Sequence, residues 1–288
     1  MDFNPSEESQ SFSLTRFESM LKTNNIFFFD SSEFENIIHH YLEIGKIALA
    51  KKAIKLGLDQ HPSSVNLRLF DIEVLIFENK LNQAEKLLNN LFKFEPNNEE
   101  LYIQKANIFS KRDNHKQAIK VFKEALNISE DSSELHSLIG MEYLFLDNYE
   151  DAKLHFMKCI DLDLEDYSSL YNIIYCFEFL DQTEKAIEYL TWYLDQNPYC
   201  EVAWHQLGKQ YLEINKLEKA LTAFDFAIIS DDTFIGAYFE KAKVLEKLGR
   251  YNESIDQYKL SIAIEGPTAF SYLKIGFCYR KLNNNDKF

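Results

Sequence analysis

Residues 201–234 read EVAWHQLGKQYLEINKLEKALTAFDFAIISDDTF, and this stretch decides the fold. Its apolar pattern is broken at Asn215, and Asn tolerates the left-handed backbone conformation that commonly ends a helix. Five residues later stands Ala220, whose small side chain allows two helices to cross closely. The stretch therefore predicts a helix, a tight turn and a second helix.

The same break recurs every 34 residues along the chain. The residues at the breaks are all Gly, Asn or Asp: Gly45, Asn79, Asp113, Asp147, Asp181, Asn215, Gly249 and Asn283. A small residue follows each of the first seven breaks at the same distance: Ala50, Ala84, Ala118, Ala152, Ala186, Ala220 and Ser254. A fixed period of this length is typical of helical repeat proteins, in which each unit packs on its neighbours. We therefore expect one elongated array without a linker.

The larger side chains of residues 201–234 carry a resemblance to a known family. They stand at the offsets of the Trp, Leu-Gly, Tyr, Ala, Phe, Ala pattern: Trp204, Leu207, Gly208, Tyr211, Ala220, Phe224 and Ala227. The chain thus resembles the tetratricopeptide repeat (TPR) family, as a bacterial-type array. The resemblance implies an all-α fold, a right-handed superhelical solenoid of antiparallel helix pairs. It divides the chain into a capping segment with one helix (1–30), seven repeats of 34 residues (31–268) and the first helix of a partial eighth repeat (269–288).

The two ends depart from the period. An apolar stripe with helical spacing predicts a capping helix at about residues 11–24: Phe12, Phe17, Met20 and Leu21. Its outward face is expected to carry Arg16, Glu18 and Lys22. The run Phe27-Phe28-Phe29 is expected to plug the open end of the first repeat, with a docking motif as the alternative.

The eighth copy reaches only Phe288, near the start of its second helix. We expect a truncated chain, because a strong repeat pattern stops half-completed. The alternatives are that the last helix is itself a cap, or that a partner covers it. Self-association through this C-terminal edge is one form of the second alternative.

Composition narrows the classes of partner. Of the 288 residues, 31 are Lys or Arg and 46 are Asp or Glu, giving a net charge of −15, which argues against nucleic acid as the partner. No apolar run is long enough to span a membrane, and the N-terminus lacks the basic start of a signal peptide. We therefore expect a cytoplasmic protein that does not bind membranes. Its four scattered cysteines are expected to be reduced thiols.

The sequence gives no support for catalysis. Glycine-rich phosphate loops, His-Glu-x-x-His, Gly-x-Ser-x-Gly and Cys-x-x-Cys are all absent. The adjacent pair His39-His40 points about 100° apart on a helix, so it does not readily chelate one metal ion. We expect neither an enzyme nor a metal or other cofactor.

The resemblance implies that the first helices of successive repeats line a concave groove, which holds an extended peptide or a helix. The residues of the middle copies at the groove positions include Met141, Tyr171, Tyr175, His205, Lys209, Phe239 and Lys243. Among them, Met141, Tyr175 and Lys209 are expected to form a contiguous strip that contacts one ligand. For Tyr171 and Phe239, filling the seam between helices is an equal alternative.

Two functions follow from this surface. The first is a non-catalytic scaffold or adaptor that binds a protein or peptide segment in the groove. The alternative is a regulatory or targeting region of a larger enzyme or sensor, whose other domain lies beyond residue 288.

Overall fold

The turns between paired helices adopt the left-handed backbone that the sequence predicts. In the computed structural model, the break residues have φ angles from 51° to 74°: Gly45, Asn79, Asp113, Asp147, Asp181, Asn215 and Gly249. The residue after the break often donates its N–H to the carbonyl five residues back, as Lys216 does to Tyr211 at 2.8 Å. The predicted breaks are thus confirmed at these seven positions, and Asn283 lies outside the described residues.

The structure describes residues 5–23, 27–129 and 132–282. Within these ranges the chain forms sixteen α-helices and no strand, which confirms the all-α repeat fold. The helices are α1 (Pro5–Thr23), α2 (Ser31–Glu43), α3 (Ile47–Gln60), α4 (Val65–Phe77), α5 (Leu81–Leu91), α6 (Glu99–Lys111), α7 (His115–Leu126), α8 (Ser133–Phe145), α9 (Tyr149–Leu162), α10 (Tyr167–Phe179), α11 (Thr183–Gln196), α12 (Glu201–Glu213), α13 (Leu217–Ser230), α14 (Ile235–Lys247), α15 (Tyr251–Glu265) and α16 (Ala269–Lys281). None of these described helices is both long and apolar enough to cross a membrane.

Capping residues at the same period set where the even-numbered helices begin. Ser64, Asn98, Ser132 and Asp166 each precede one of these helices, and each side chain accepts a hydrogen bond from a backbone N–H two or three residues later. Cys200 does the same through its sulfur atom at the start of α12. Such a bond satisfies an N–H group that the helix leaves without a partner, so the start of each of these five helices is fixed by its own sequence.

The helices form two compact units, Met1–Leu146 and Asp147–Phe288, and the second begins at a predicted turn residue. We call them unit 1 and unit 2. The small residues predicted at helix crossings are fully buried in both units: Ala50, Ala84, Ala118, Ala152, Ala186, Ala220 and Ser254. Both units therefore share one packing scheme.

A close helix crossing lies in unit 2, between α12 and α13. A Cβ atom added at Gly208 would lie 2.5 Å from Cε1 of Phe224, whose ring is fully buried. Real Cβ atoms essentially never come this near to another heavy atom. The glycine of the Leu-Gly dipeptide therefore allows α12 and α13 to pack closely.

At the N-terminal end, α1 covers unit 1 in a way that differs in part from the prediction. Phe17 and Phe29 are fully buried in one aromatic cluster, whereas Phe12 and Phe28 are each 64% exposed. The predictions for Phe12 and Phe28 were therefore wrong. Arg16 does not face outward either, because its guanidinium lies 4.7 Å from the centre of the Phe29 ring. It also pairs with the Glu33 carboxylate at 3.3 Å, so it helps to hold α1 on α2.

At the C-terminal end of unit 2, α16 packs on α15. Ile275 and Cys278 are buried, while Phe270 and Leu273 are exposed, as expected for an edge. Phe288, on which the truncation prediction rests, lies outside the described residues.

All four cysteines are buried free thiols. Burial raises the pKa of the Cys176 thiol to about 11, with nearby Lys153 opposing the rise. A thiol with so high a pKa is a poor nucleophile, so Cys176 acts as a small apolar residue.

Candidate functional site

The predicted groove residues lie on the first helices of the helix pairs. Met141 lies on α8 in unit 1 and is 39% exposed. The other six lie on α10, α12 and α14 in unit 2, and we call them the unit 2 strip: Tyr171, Tyr175, His205, Lys209, Phe239 and Lys243.

Tyr175 belongs to an exposed aromatic group on the unit 2 strip. Its ring is 43% exposed and lies 4.5 Å from Phe179, which is itself exposed. Tyr149, at the start of α9, stacks on Phe179 at 4.7 Å and contacts Tyr175 edge-on at 6.2 Å. These contacts hold three large rings at the surface, so a ligand meets an ordered apolar area with little loss of side-chain entropy.

Tyr171 is 43% exposed, and burial of its other part raises the pKa of its hydroxyl. Gln206, on the next first helix, lies near that hydroxyl and opposes the rise of its pKa. Gln206 is itself buried, and its Oε1 has no partner among the described residues. Tyr171 thus lies near α12 and keeps part of its ring exposed, so its role as a groove residue stays a prediction.

The two lysines of the unit 2 strip differ in their partners. Lys243 forms an ion pair with Glu240 at 2.6 Å. Lys209 is half-buried and forms no ion pair with any residue that the structure describes. Lys209 is therefore the free positive charge of this surface.

His205 lies deeper than its neighbours. Its ring packs at 5.2 Å from Phe234 and 5.8 Å from Phe224. Burial lowers the pKa of His205 to about 4, with Glu240 opposing and Lys209 adding to the fall. The imidazole is therefore neutral at pH 7, and it offers a ligand no positive charge.

Phe239 fills a seam between helices. Its half-buried ring lies 5.6 Å from Phe270 on α16 and 6.0 Å from Tyr258 on α15. Tyr258 in turn donates to the Glu246 carboxylate at 2.6 Å. The contacts of Phe239 thus fit the packing alternative better than a ligand contact.

The first helices of unit 1 line an open cavity that the sequence prediction overlooked. Its volume is about 410 Å³, and residues of α2, α4 and α6 line it: Glu35, His39, Asn66, Leu69, Phe70, Glu73, Glu100 and Gln104. We call it the acidic cavity. Four of these residues, Glu35, His39, Leu69 and Glu73, stand at the same repeat positions as the residues of the unit 2 strip. The groove positions of the first repeats could have predicted these residues, but the prediction covered only the middle repeats.

Glutamates dominate the electrostatics of the acidic cavity. Although Glu73 is open to solvent, the cavity walls remove part of its hydration and raise its pKa, and the charge of Glu100 adds to the rise while His39 opposes it. Glu134, at the start of α8, has a raised pKa for the same reasons, burial first and Glu100 second. In the described part of the chain, no three His, Cys, Asp or Glu side chains converge closely enough to hold a metal ion.

A second cavity, of about 590 Å³, lies in unit 2 between α11 and α13. Trp204 lines it, stacked on Phe226 at 4.6 Å, and its indole N–H donates to the Pro198 carbonyl at 2.8 Å. Trp204 thus serves the packing of one repeat on the next.

Two family models match the chain. One, described as the second ARM domain of tetratricopeptide repeat protein 21, matches residues 72–213, and one described as tetratricopeptide repeat matches residues 235–266.

Among curated proteins, anaphase-promoting complex subunit 3 of Schizosaccharomyces pombe is 23% identical over 252 residues, covering 85% of this chain and 37% of that protein. BBSome complex member BBS4 of Bos taurus is 24% identical over 169 residues, covering 57% of this chain and 32% of that protein. The chain spans about a third of the length of these relatives.

Among solved structures, the APC/C hetero-tetramer Cut9–Hcn1 contains a chain that aligns with a TM-score of 0.48 and 16% identity, over 94% of this chain and 54% of that one. The matches to the two repeat models agree with the 34-residue period and with the seven left-handed turns. The chain belongs to the tetratricopeptide-repeat family.

Proposed function

We propose that this protein is a non-catalytic scaffold or adaptor that binds a segment of a protein partner along its first helices. The observation that carries the proposal is the exposed aromatic group of Tyr149, Tyr175 and Phe179. Large rings held at a surface give more binding energy per residue than most other side chains.

Lys209 adds a positive charge to this proposed contact area. Its ammonium group lacks an ion-pair partner among the described residues, so a carboxylate or carbonyl of the ligand is its natural complement. Tyr175 and Lys209 thus supply an apolar anchor and a charged contact, while His205 and Phe239 take part in packing between helices. Met141 is proposed as an adaptable contact of the same kind on α8.

The proposed organisation is the one that the period predicts: a capping segment to residue 30, seven repeats over residues 31–268, and the first helix of an eighth. We place the protein in the cytosol, where buried thiols such as those of Cys159 and Cys278 stay reduced. Neither nucleic acid nor a membrane is proposed as its partner, since the net charge of −15 repels phosphate.

Affinity capture from the source cells tests this function. The double variant Tyr175→Ala/Lys209→Glu removes the ring and reverses the charge, and we expect it to lose the partners that the wild-type protein captures. The matched control is Tyr199→Ala/Lys185→Glu, which makes the same chemical changes at exposed positions outside the unit 2 strip. Equal capture by both variants, at unchanged melting temperature, contradicts the assignment of the binding surface.

A further inference from the structure

The acidic cavity of unit 1 has the shape of a binding groove. Three successive first helices, α2, α4 and α6, each contribute residues to its wall. Leu69 and Phe70 of α4 give it an apolar part, and Asn66 and Gln104 add amide groups. A cavity of about 410 Å³ with mixed walls accepts one or two long side chains.

The negative charge of the cavity is not balanced by the protein. Glu35 accepts hydrogen bonds from Ser31 at 3.1 Å and from Asn66 at 3.3 Å, and Glu100 accepts one from Gln104 at 2.7 Å. All of these donors are neutral. In the described part of the chain, no Lys or Arg forms an ion pair with Glu35, Glu73 or Glu100.

The basic side chain in the cavity wall already has an ion-pair partner. His39, which lines the cavity, pairs with Glu43 on its own helix at 3.3 Å. The raised pKa values of Glu73 and Glu134 express the same imbalance, because each carboxylate stands in the field of Glu100 with part of its hydration removed. A positive charge placed among them relieves this repulsion.

We infer that the acidic cavity takes the arginine or lysine side chains of an extended basic segment of a partner protein. The methylene groups of such a side chain match Leu69 and Phe70, and its charged head matches carboxylates from three different helices. Because the carboxylates are distributed over successive helices rather than gathered at one point, they suit a segment that runs along them. The inference rests on the proposed function, since it takes the first helices as the binding surface, and it names the chemistry of the ligand in unit 1.

Selection from a random library of unstructured dodecapeptides tests the inference on the full chain. We expect the bound peptides to be enriched in Arg and Lys, and the enriched peptides to bind about tenfold more weakly when their arginines are replaced by citrulline, which is similar in shape but neutral. The protein variant Glu73→Gln/Glu100→Gln is expected to lose the enrichment.

The control variant is Glu188→Gln/Glu265→Gln, which gives the same net charge through exposed residues of unit 2 and is expected to keep the enrichment. Melting temperatures of both variants check that they fold. Selected peptides that are not basic, or an equal loss of binding in both variants, overturn the inference.

The peptide selection and the affinity capture distinguish a failure of the inference from a failure of the proposed function. If the library yields no basic peptides while Tyr175→Ala/Lys209→Glu still loses the captured partner, the inference is wrong and the proposed function stands. If basic peptides depend on Glu73 and Glu100 while capture is unaffected by the unit 2 substitutions, the binding surface lies in unit 1 and the unit 2 assignment is wrong.

Discussion

The first helices of unit 1 and those of unit 2 carry different chemistry on the same repeat positions. In unit 1 these positions present Glu35 and Glu73 at the acidic cavity. In unit 2 they present Tyr175 and Lys209 on an exposed surface. The packing positions, by contrast, are alike, as the seven small residues buried at helix crossings demonstrate. The 34-residue period therefore fixes the scaffold and leaves the binding surface free to vary.

The largest expected effect tests whether the scaffold is common to the units. Phe122 in unit 1 and Phe224 in unit 2 occupy the same repeat position, and both are fully buried. Replacing either one by Ala removes a buried ring and leaves a cavity, so we expect each variant to lose about 3–5 kcal/mol of the free energy of unfolding. Urea denaturation measures both. A loss in one unit only means that the packing scheme is not shared.

A smaller effect tests the close crossing in unit 2. Gly208→Ala places a methyl group against the buried ring of Phe224, and we expect a loss of about 1–3 kcal/mol by chemical denaturation. Gly236→Ala is the matched control, because its added methyl group meets no atom closer than 3.6 Å. That variant is expected to be as stable as the wild type or slightly more so, since Ala favours the helix. Similar destabilisation by both substitutions contradicts the close-approach explanation.

One titratable group in each unit is expected to contribute a pH dependence, and the two contributions have opposite signs. His205 has its pKa lowered to about 4, so the unfolded chain binds the proton first as the pH falls. The stability that unit 2 gains from the neutral imidazole is fully present above about pH 6.5 and is lost as the pH falls towards 4. We expect a loss of about 1–3 kcal/mol across this range, measured by denaturation at several pH values, and a weaker dependence in His205→Gln. An unchanged pH profile in that variant contradicts the burial of His205.

Unit 1 is expected to respond in the opposite direction, with the smallest effect. Because the pKa of Glu73 is raised, the folded state favours its protonated form, and this contribution is lost as the pH rises through that pKa. Glu73→Gln removes the repulsion, so we expect a stability gain of less than about 1 kcal/mol at pH 7, since solvent screens an open carboxylate. Thermal melting at pH 5 and pH 7 checks it, with Glu188→Gln as the control that is expected to show no gain.

The repeat fold could be predicted from the sequence because turn conformation and side-chain size are properties of single residues. Asn215 predicts a left-handed turn by its own stereochemistry, and Ala220 predicts a close crossing by its size alone. The capping period at Ser64 and Asn98 was equally readable and was overlooked.

The binding surface was only partly readable, because exposure depends on residues that are distant in sequence. The position of Phe239 is the same as that of Tyr171, yet its environment is set by Phe270 and Tyr258 from two other helices. The burial that lowers the pKa of His205 likewise includes a contact with Phe234, which precedes the next helix. The side chain of Arg16 does not face outward because its guanidinium contacts the Phe29 ring and pairs with the Glu33 carboxylate.

Site-specific photo-crosslinking tests most directly that a partner binds the first helices. A photoreactive phenylalanine analogue is placed at Tyr175, on the first helix α10, or at Ile229, which is 73% exposed on the second helix α13. We predict a covalent adduct with the captured partner from position 175 and none from position 229. An adduct from position 229 alone, with capture intact in both proteins, contradicts the account.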